Sequence, residues 1–211
     1  MSGETYDPMR DLIREKLRGT LPVGPEDGAM NGDFALNPED NFFADIGSFR
    51  PAAVLVPIIT RPEEMTVLLT RRPDYMNKHA GQIAFPGGGM DEADKSPVAA
   101  ALREAEEEVG LDPATVEIVG RLDPYRTGTG YQIIPIVGFI TPDFEPQRCE
   151  IEVAEIFEVP FSFLMDPVNH QRHQGEWRGK KREYYAVPYE DYYIWGATAG
   201  MLVNLSKRLA D

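Results

Sequence analysis

Three glutamates lie close together in one predicted helix, with a spacing that directs their carboxylates to one side. Glu104, Glu107 and Glu108 stand at i, i+3 and i+4, so their side chains project from one helical face. Oxygen atoms are the ligands that Mg²⁺ and Mn²⁺ prefer in proteins. The spacing therefore indicates a site for a divalent cation.

A solvated acidic face is the alternative interpretation of such a helix. Glu104 and Glu108 repel each other at i, i+4, and the glutamates occupy the last turns, where the helix dipole disfavours negative charge. Arg103 is the single basic residue beside them. Each penalty is at most about 1 kcal/mol. The pattern favours a bound cation without establishing it.

The predicted helix spans Ser96–Val109, with Ser96 as its cap, Pro97 in the first turn and Gly110 at its end. A second, apolar stripe is formed by Val98, Ala101, Leu102, Ala105 and Val109. This stripe can pack on a sheet while the glutamates face a cleft. The preceding residues 87–89 are all glycine, which lets the backbone turn tightly and bring a carbonyl close to an ion.

The remaining elements predict a mixed-sheet α/β (α+β) fold. We expect a short helix capped by Asp7, then a long loop from Gly19 to Ser48 that packs on the domain or on a partner subunit. Residues 1–50 are predicted as an N-terminal helix and surface arm, and 51–211 as the main domain. Strands are predicted at Ala52–Thr60, Met65–Arg72, Gln82–Phe85, Thr115–Pro124, Gln132–Thr141 and Glu152–Val159, with a short helix at Phe161–Met165, a hairpin over His170–Tyr189 and a closing helix at Ile194–Leu209.

Composition narrows the functional classes. The chain has 211 residues and a net charge of −14, so binding to nucleic acid or to an anionic membrane is not expected. No apolar run approaches the ~20 residues that a membrane helix needs. The single cysteine, Cys149, excludes an intramolecular disulfide framework. A cytoplasmic location is the expectation.

The segment from Gly89 to Leu111 resembles the Nudix signature G-x5-E-x7-R-E-U-x-E-E-x-G-U, in which U is apolar. The matching residues are Gly89, Arg103, Glu104, Ala105, Glu107, Glu108, Gly110 and Leu111, and only the isolated glutamate differs, being Lys95. The resemblance implies a Nudix fold, with a mixed β-sheet sandwiched between α-helices, and hydrolysis of a nucleoside diphosphate linked to another group. It also implies Mg²⁺ or Mn²⁺ held by Glu104, Glu107, Glu108 and the Gly89 carbonyl.

The Lys95 position is the departure from the signature. In many members of the family the residue there pairs with the signature arginine, here Arg103. We expect Asp91, Glu92 or Asp94 to supply that partner instead.

The stretch before the signature resembles the coenzyme A pyrophosphatase-like subgroup, whose motif is approximately L-L-T-x-R-[SA]-x3-R-x3-G-x3-F-P-G-G. Residues 68–72, Gly81 and 85–88 match it, whereas Pro73 and Asn77 depart from it. The resemblance implies coenzyme A, or its acyl or oxidised forms, as substrate. Arg72, Lys78 and His79 are candidate phosphate contacts, although solvated surface positions would look the same.

The general base is the least defined assignment. Glu150, Glu152 and Glu155 lie in the appropriate region, and we favour Glu152. Two alternative functions remain open: a Nudix hydrolase for ADP-ribose, a dinucleotide or a nucleoside triphosphate, and a non-catalytic nucleotide sensor. The complete set of signature glutamates argues against the sensor, since a protein that only binds nucleotides need not keep every metal ligand. The sequence is compatible with a homodimer.

Overall fold

The structure is a computed structural model that describes residues 7–21, 30–39, 43, 46–75, 80–177 and 179–211. Its helices are α1 (Pro8–Leu17), α2 (Pro97–Val109), α3 (Phe161–Met165) and α4 (Ala197–Ala210). Its strands are β1 (Asn31–Gly32), β2 (Arg50–Ile59), β3 (Thr66–Arg71), β4 (Ile83–Ala84), β5 (Gly87–Gly89), β6 (Glu117–Arg121), β7 (Tyr125–Arg126), β8 (Tyr131–Ile140), β9 (Glu155–Pro160), β10 (Gln171–Trp177), β11 (Lys180–Tyr189) and β12 (Tyr192–Trp195). Short 3₁₀ turns cover 33–35, 113–115 and 167–169.

A mixed sheet built from strands β1–β9 forms the centre of the molecule. Strands β2 and β8 run parallel along their whole length, and β3 and β5 pair antiparallel with β2. Strand β9 pairs antiparallel with β3. Because β2 and β8 are covered on both faces, their sequences read as nearly continuous apolar runs.

Alternate residues of β2 divide between two hydrophobic cores. Ala53, Leu55 and Ile59 pack with the apolar stripe of α2, whereas Val54, Val56 and Ile58 pack with residues of α1, α3 and α4. The second sheet, β10–β11–β12, contributes Val187 and Ile194 to this latter core. Helices therefore cover both faces of the mixed sheet, which confirms the predicted α+β architecture.

The described parts of the N-terminal arm pack on the domain. Ile13 and Leu17 of α1 are fully buried. Strand β1 pairs in parallel with β7, and the side chain of Asn37 bonds both the backbone N–H and the carbonyl of Glu183, at 2.8 and 2.9 Å. These residues of the arm therefore pack against the rest of the chain.

Several elements differ from the sequence-based prediction. The final helix begins at Ala197, because Ile194 and Trp195 belong to β12 and Gly196 adopts a φ of 65°. The glycines predicted as a turn form β5 instead. Strand β5 is held by β2, a partner distant in the sequence, and short local patterns do not reveal such pairing. Among the described residues, no helix is both long and apolar enough to cross a membrane.

Candidate active site

Helix α2 presents two different faces, as the sequence predicted. The Ser96 hydroxyl caps its start by accepting from the Ala99 N–H at 3.2 Å. Ala101, Ala105 and Val109 are buried against the sheet. With this apolar face fixed, the signature glutamates are directed to the flank of the helix.

Three carboxylates meet beside α2, and we call them the carboxylate group: Glu104, Glu108 and Glu152. Each offers one oxygen, and these oxygens all lie within 4.8 Å of one another. Glu108 is only 5% exposed and accepts a hydrogen bond from the Gly87 N–H at 3.2 Å. A Cβ at Gly88 would lie 2.6 Å from Oε1 of Glu104, so the absence of a side chain at Gly88 provides the space for this carboxylate.

Glu152 reaches the helix glutamates from a turn anchored at both ends. The Cys149 N–H donates to the carbonyl of Glu108 at 3.0 Å, and the Ala154 N–H donates to the carbonyl of Arg71 at 2.8 Å. Within the turn, the Glu152 N–H donates to the carbonyl of Cys149 at 3.1 Å. The turn therefore connects the last residues of α2 with the end of β3, and Glu152 lies between them.

The two other candidates for the general base are engaged elsewhere. Glu150 is exposed and pairs with Arg148 at 3.3 Å. Glu155 pairs with Arg71 at 2.9 Å and accepts from the Tyr192 hydroxyl at 2.7 Å. Of the three, only Glu152 joins the carboxylate group.

The carboxylate group is electrostatically unfavourable when every member is ionised. Burial, with smaller contributions from the charges of Glu104 and Glu152, raises the pKa of Glu108 to about 8, although the Gly87 N–H and Arg72 oppose the shift. Burial also raises the pKa of Glu104. A divalent cation relieves both desolvation and repulsion. An all-oxygen donor set with surplus negative charge fits Mg²⁺ or Mn²⁺.

Arg103 is held beside the group by an acidic residue of the preceding loop. Its Nε and Nη2 donate to the two oxygens of Asp94 at 3.2 and 3.0 Å. Its Nη1 donates to Glu104 at 3.0 Å and to Glu107 at 3.1 Å. Lys95 is exposed. Asp94 thus provides the expected replacement partner, and the Arg103 guanidinium in turn lowers the pKa of Asp94.

We expect Asp94→Ala to lower kcat about tenfold, because a lost hydrogen bond between charged groups costs about 1.5–3 kcal/mol and the released Arg103 would compete for Glu104. Lys95→Ala is the matched control from the same loop and should change kcat less than about twofold, since exposed ion pairs contribute at most about 1 kcal/mol. Steady-state kinetics on both variants measures the difference. If Lys95→Ala abolished turnover while Asp94→Ala left kcat unchanged, the assignment of Asp94 as the functional partner of Arg103 would be wrong.

The remaining predicted site residues lie around the carboxylate group or outside the described residues. The side chain of Glu107 is 56% exposed and is not a member of the group. The Gly89 carbonyl accepts from Nη2 of Arg103 at 3.3 Å. Arg72 lies near enough to Glu108 to affect its pKa. Lys78 and His79 fall in 76–79, outside the described residues.

Gly87 and Gly88 are contributors that the sequence reasoning missed. Both line the carboxylate group, one through its N–H and the other through its lack of a side chain. Three consecutive glycines before a Glu-rich helix were the available signal, although the pattern alone is an ordinary turn.

Comparison with known proteins identifies the family of this chain. The family model described as NUDIX domain matches residues 49–184. A protein of Escherichia coli (strain SMS-3-5 / SECEC), named Uncharacterized Nudix hydrolase NudL, is 44% identical over 160 residues, covering 76% of this chain and 83% of that protein. A NudL protein of Shigella boydii serotype 18 shows the same identity and coverage. The chain belongs to the Nudix family and is a hydrolase that acts on phosphoric anhydride bonds.

Solved structures of Nudix proteins are also similar to this chain. A MutT/nudix family protein from Enterococcus faecalis has a TM-score of 0.48 at 16% identity, covering 84% of this chain and 68% of that chain. The Nudix hydrolase RenU from M. smegmatis has a TM-score of 0.46 at 21% identity, covering 55% and 73%. Members of the family use divalent metal ions and act on small nucleotide substrates.

Proposed function

We propose that this hydrolase cleaves the pyrophosphate of coenzyme A, or of its acyl or oxidised forms, to 3′,5′-ADP and 4′-phosphopantetheine or its derivative. The observation that carries the proposal is the position of the subgroup motif. Arg72 ends the first part of the motif, and its charge lowers the pKa of Glu108. Gly87 belongs to the second part, and its N–H donates a hydrogen bond to the Glu108 carboxylate. Two residues of the segment that resembles the coenzyme A subgroup therefore border the carboxylate group, where a pyrophosphate would bind.

Magnesium or manganese is the proposed cofactor, held by Glu104 and Glu108, with Glu107 and the Gly89 carbonyl as further ligands. When bound, such an ion activates water and stabilises negative charge on phosphate. Arg103, fixed by Asp94, holds the Glu104 carboxylate in place. The buried position of Glu108 excludes bulk water from that side of the site.

Proton transfer is assigned to Glu152. Its carboxylate is exposed to solvent yet lies beside Glu104 and Glu108, so it can reach a water molecule that approaches the pyrophosphate. The water oxygen bonds to one phosphorus, its proton passes to Glu152, and the bridging P–O bond breaks toward the other phosphate. Arg72 supplies positive charge to the phosphates, and Lys78 and His79, which lie outside the described residues, are proposed as further phosphate contacts.

A substrate panel tests the proposal. Purified protein is incubated with coenzyme A, dephospho-coenzyme A, ADP-ribose or a dinucleotide, with Mg²⁺, Mn²⁺ or EDTA, and the products are identified by mass. We expect 3′,5′-ADP from coenzyme A only with metal, and a kcat/KM for coenzyme A at least about tenfold above that for ADP-ribose, a difference of about 1.4 kcal/mol. Faster turnover of ADP-ribose or the dinucleotide, with coenzyme A intact, would assign the second class of substrate. Binding without turnover of any compound would indicate the sensor.

A further inference from the structure

The peptide that joins Ile151 to Glu152 is held on both sides by hydrogen bonds. Its N–H, which belongs to Glu152, donates to the carbonyl of Cys149 at 3.1 Å. Its carbonyl, which belongs to Ile151, accepts from the Tyr75 hydroxyl at 2.8 Å. Because a peptide unit is planar, these two bonds together fix the orientation of the plane from which the Glu152 side chain departs.

Tyr75 belongs to a different part of the chain from the turn it holds. It follows β3 and Arg72, and its hydroxyl also lies 3.3 Å from the carbonyl of Glu150. The turn is also held by backbone bonds to Glu108 and Arg71 and by a hydrogen bond from the Arg148 guanidinium to the carbonyl of Ala154. The Tyr75 hydroxyl is thus the contact at the tip of the turn, next to the residue that must meet the substrate.

Packing does not explain the position of Tyr75. Its side chain is 71% exposed, and neighbouring Ile151 is 75% exposed. An exposed aromatic ring contributes little burial, whereas its hydroxyl makes two contacts with backbone carbonyls. The hydroxyl, and not the ring, carries the interaction.

We propose that Tyr75 is a positioning residue that orients Glu152 for proton transfer. This inference rests on the role given to Glu152 in the proposed function. The hydrogen bonds of Tyr75 go to the backbone of the turn and not to the carboxylate group. Its effect passes through the 151–152 peptide.

Tyr75→Phe removes the hydroxyl and keeps the ring. In the metal-free protein, amide hydrogen exchange at residues 149–153 should accelerate about tenfold, because the turn loses its contact at the tip. With metal and substrate, kcat should fall about tenfold while KM stays within about twofold, as expected when a transition-state contact alone is affected. Tyr193→Phe is the matched control, since its hydroxyl lies 2.7 Å from His173 on the second sheet, and it should change neither measurement.

A double substitution separates positioning from direct action. In a Glu152→Gln background, Tyr75→Phe should cause no further loss of kcat, because both changes act on one residue. An equal loss in that background would mean that Tyr75 acts directly on substrate, which overturns the proposal. Unchanged exchange and kcat in Tyr75→Phe, with Glu152→Gln impaired, would overturn the positioning role alone. Full activity of Glu152→Gln would overturn both the assignment of Glu152 and this inference, leaving the metal site and substrate proposals to their own tests.

Discussion

Glu108→Gln is expected to lower kcat about a thousandfold or more. The change removes a negative charge from the proposed metal site without changing the volume of the side chain, and metal catalysis contributes several kcal/mol of charge stabilisation, each 1.36 kcal/mol being tenfold in rate. Glu108 is 5% exposed, and its carboxylate lies within 4.8 Å of those of Glu104 and Glu152. Solvent therefore cannot replace it as a ligand. The measurement is kcat at saturating Mg²⁺ or Mn²⁺.

Glu106→Gln provides the matched control for this loss. Glu106 lies on the same helix, is exposed, and is not a member of the carboxylate group. The same chemical change there should alter kcat less than about twofold, as is usual for exposed charges. Equal activity of the two variants would show that the buried glutamate is not part of the reaction and that the proposed site is wrong.

The metal-free protein is expected to lose stability between about pH 5 and pH 8. Glu108 has a folded-state pKa of about 8 against an ordinary value of 4.5, mainly because it is buried. The folded state therefore binds more protons than the unfolded state in this interval, and the free energy of unfolding falls as the pH rises. The loss is on the order of a few kcal/mol, at 1.36 kcal/mol for each pKa unit.

Urea unfolding in EDTA at pH 5.5 and pH 8.5 measures this dependence. Glu108→Gln should show a much smaller change between the two pH values and should be the more stable protein at the higher one, because glutamine carries no charge to desolvate. Addition of Mn²⁺ at pH 8.5 should restore stability to the wild-type protein, since a ligand that binds the folded state stabilises it. If the free energy of unfolding changed equally with pH in the wild type and the variant, ionisation of Glu108 would not destabilise the folded protein.

The helix that carries the chemistry could be predicted from local sequence alone. Ser96 and Gly110 mark its ends, and a stripe of apolar residues spaced for one helical face determines which side is buried. Once that stripe packs on the sheet, the orientation of Glu104 and Glu108 follows. The position of Lys95 in the signature also indicated that an acidic neighbour would pair with Arg103, and Asp94 does so.

The strands were less predictable than this helix. The long β2 and β8 are evident because burial on both faces demands continuous apolar runs. The short β5 depends on pairing with β2, far along the chain, and β12 forms a hairpin with β11. Strands of three or four residues carry too little pattern to be recognised without such partners.

Family, helix and the identity of the candidate ligands were therefore determined by the sequence, because they depend on residue types at fixed local spacing. The association of Glu152 with the helix glutamates was decided by tertiary structure, since hydrogen bonds to Glu108 and Arg71 bring its turn there. Spacing could not distinguish Glu152 from Glu150 and Glu155. The raised pKa of Glu108 has the same origin: burial beneath β5 and proximity to two other carboxylates exist only once the sheet, the helix and the turn have packed together.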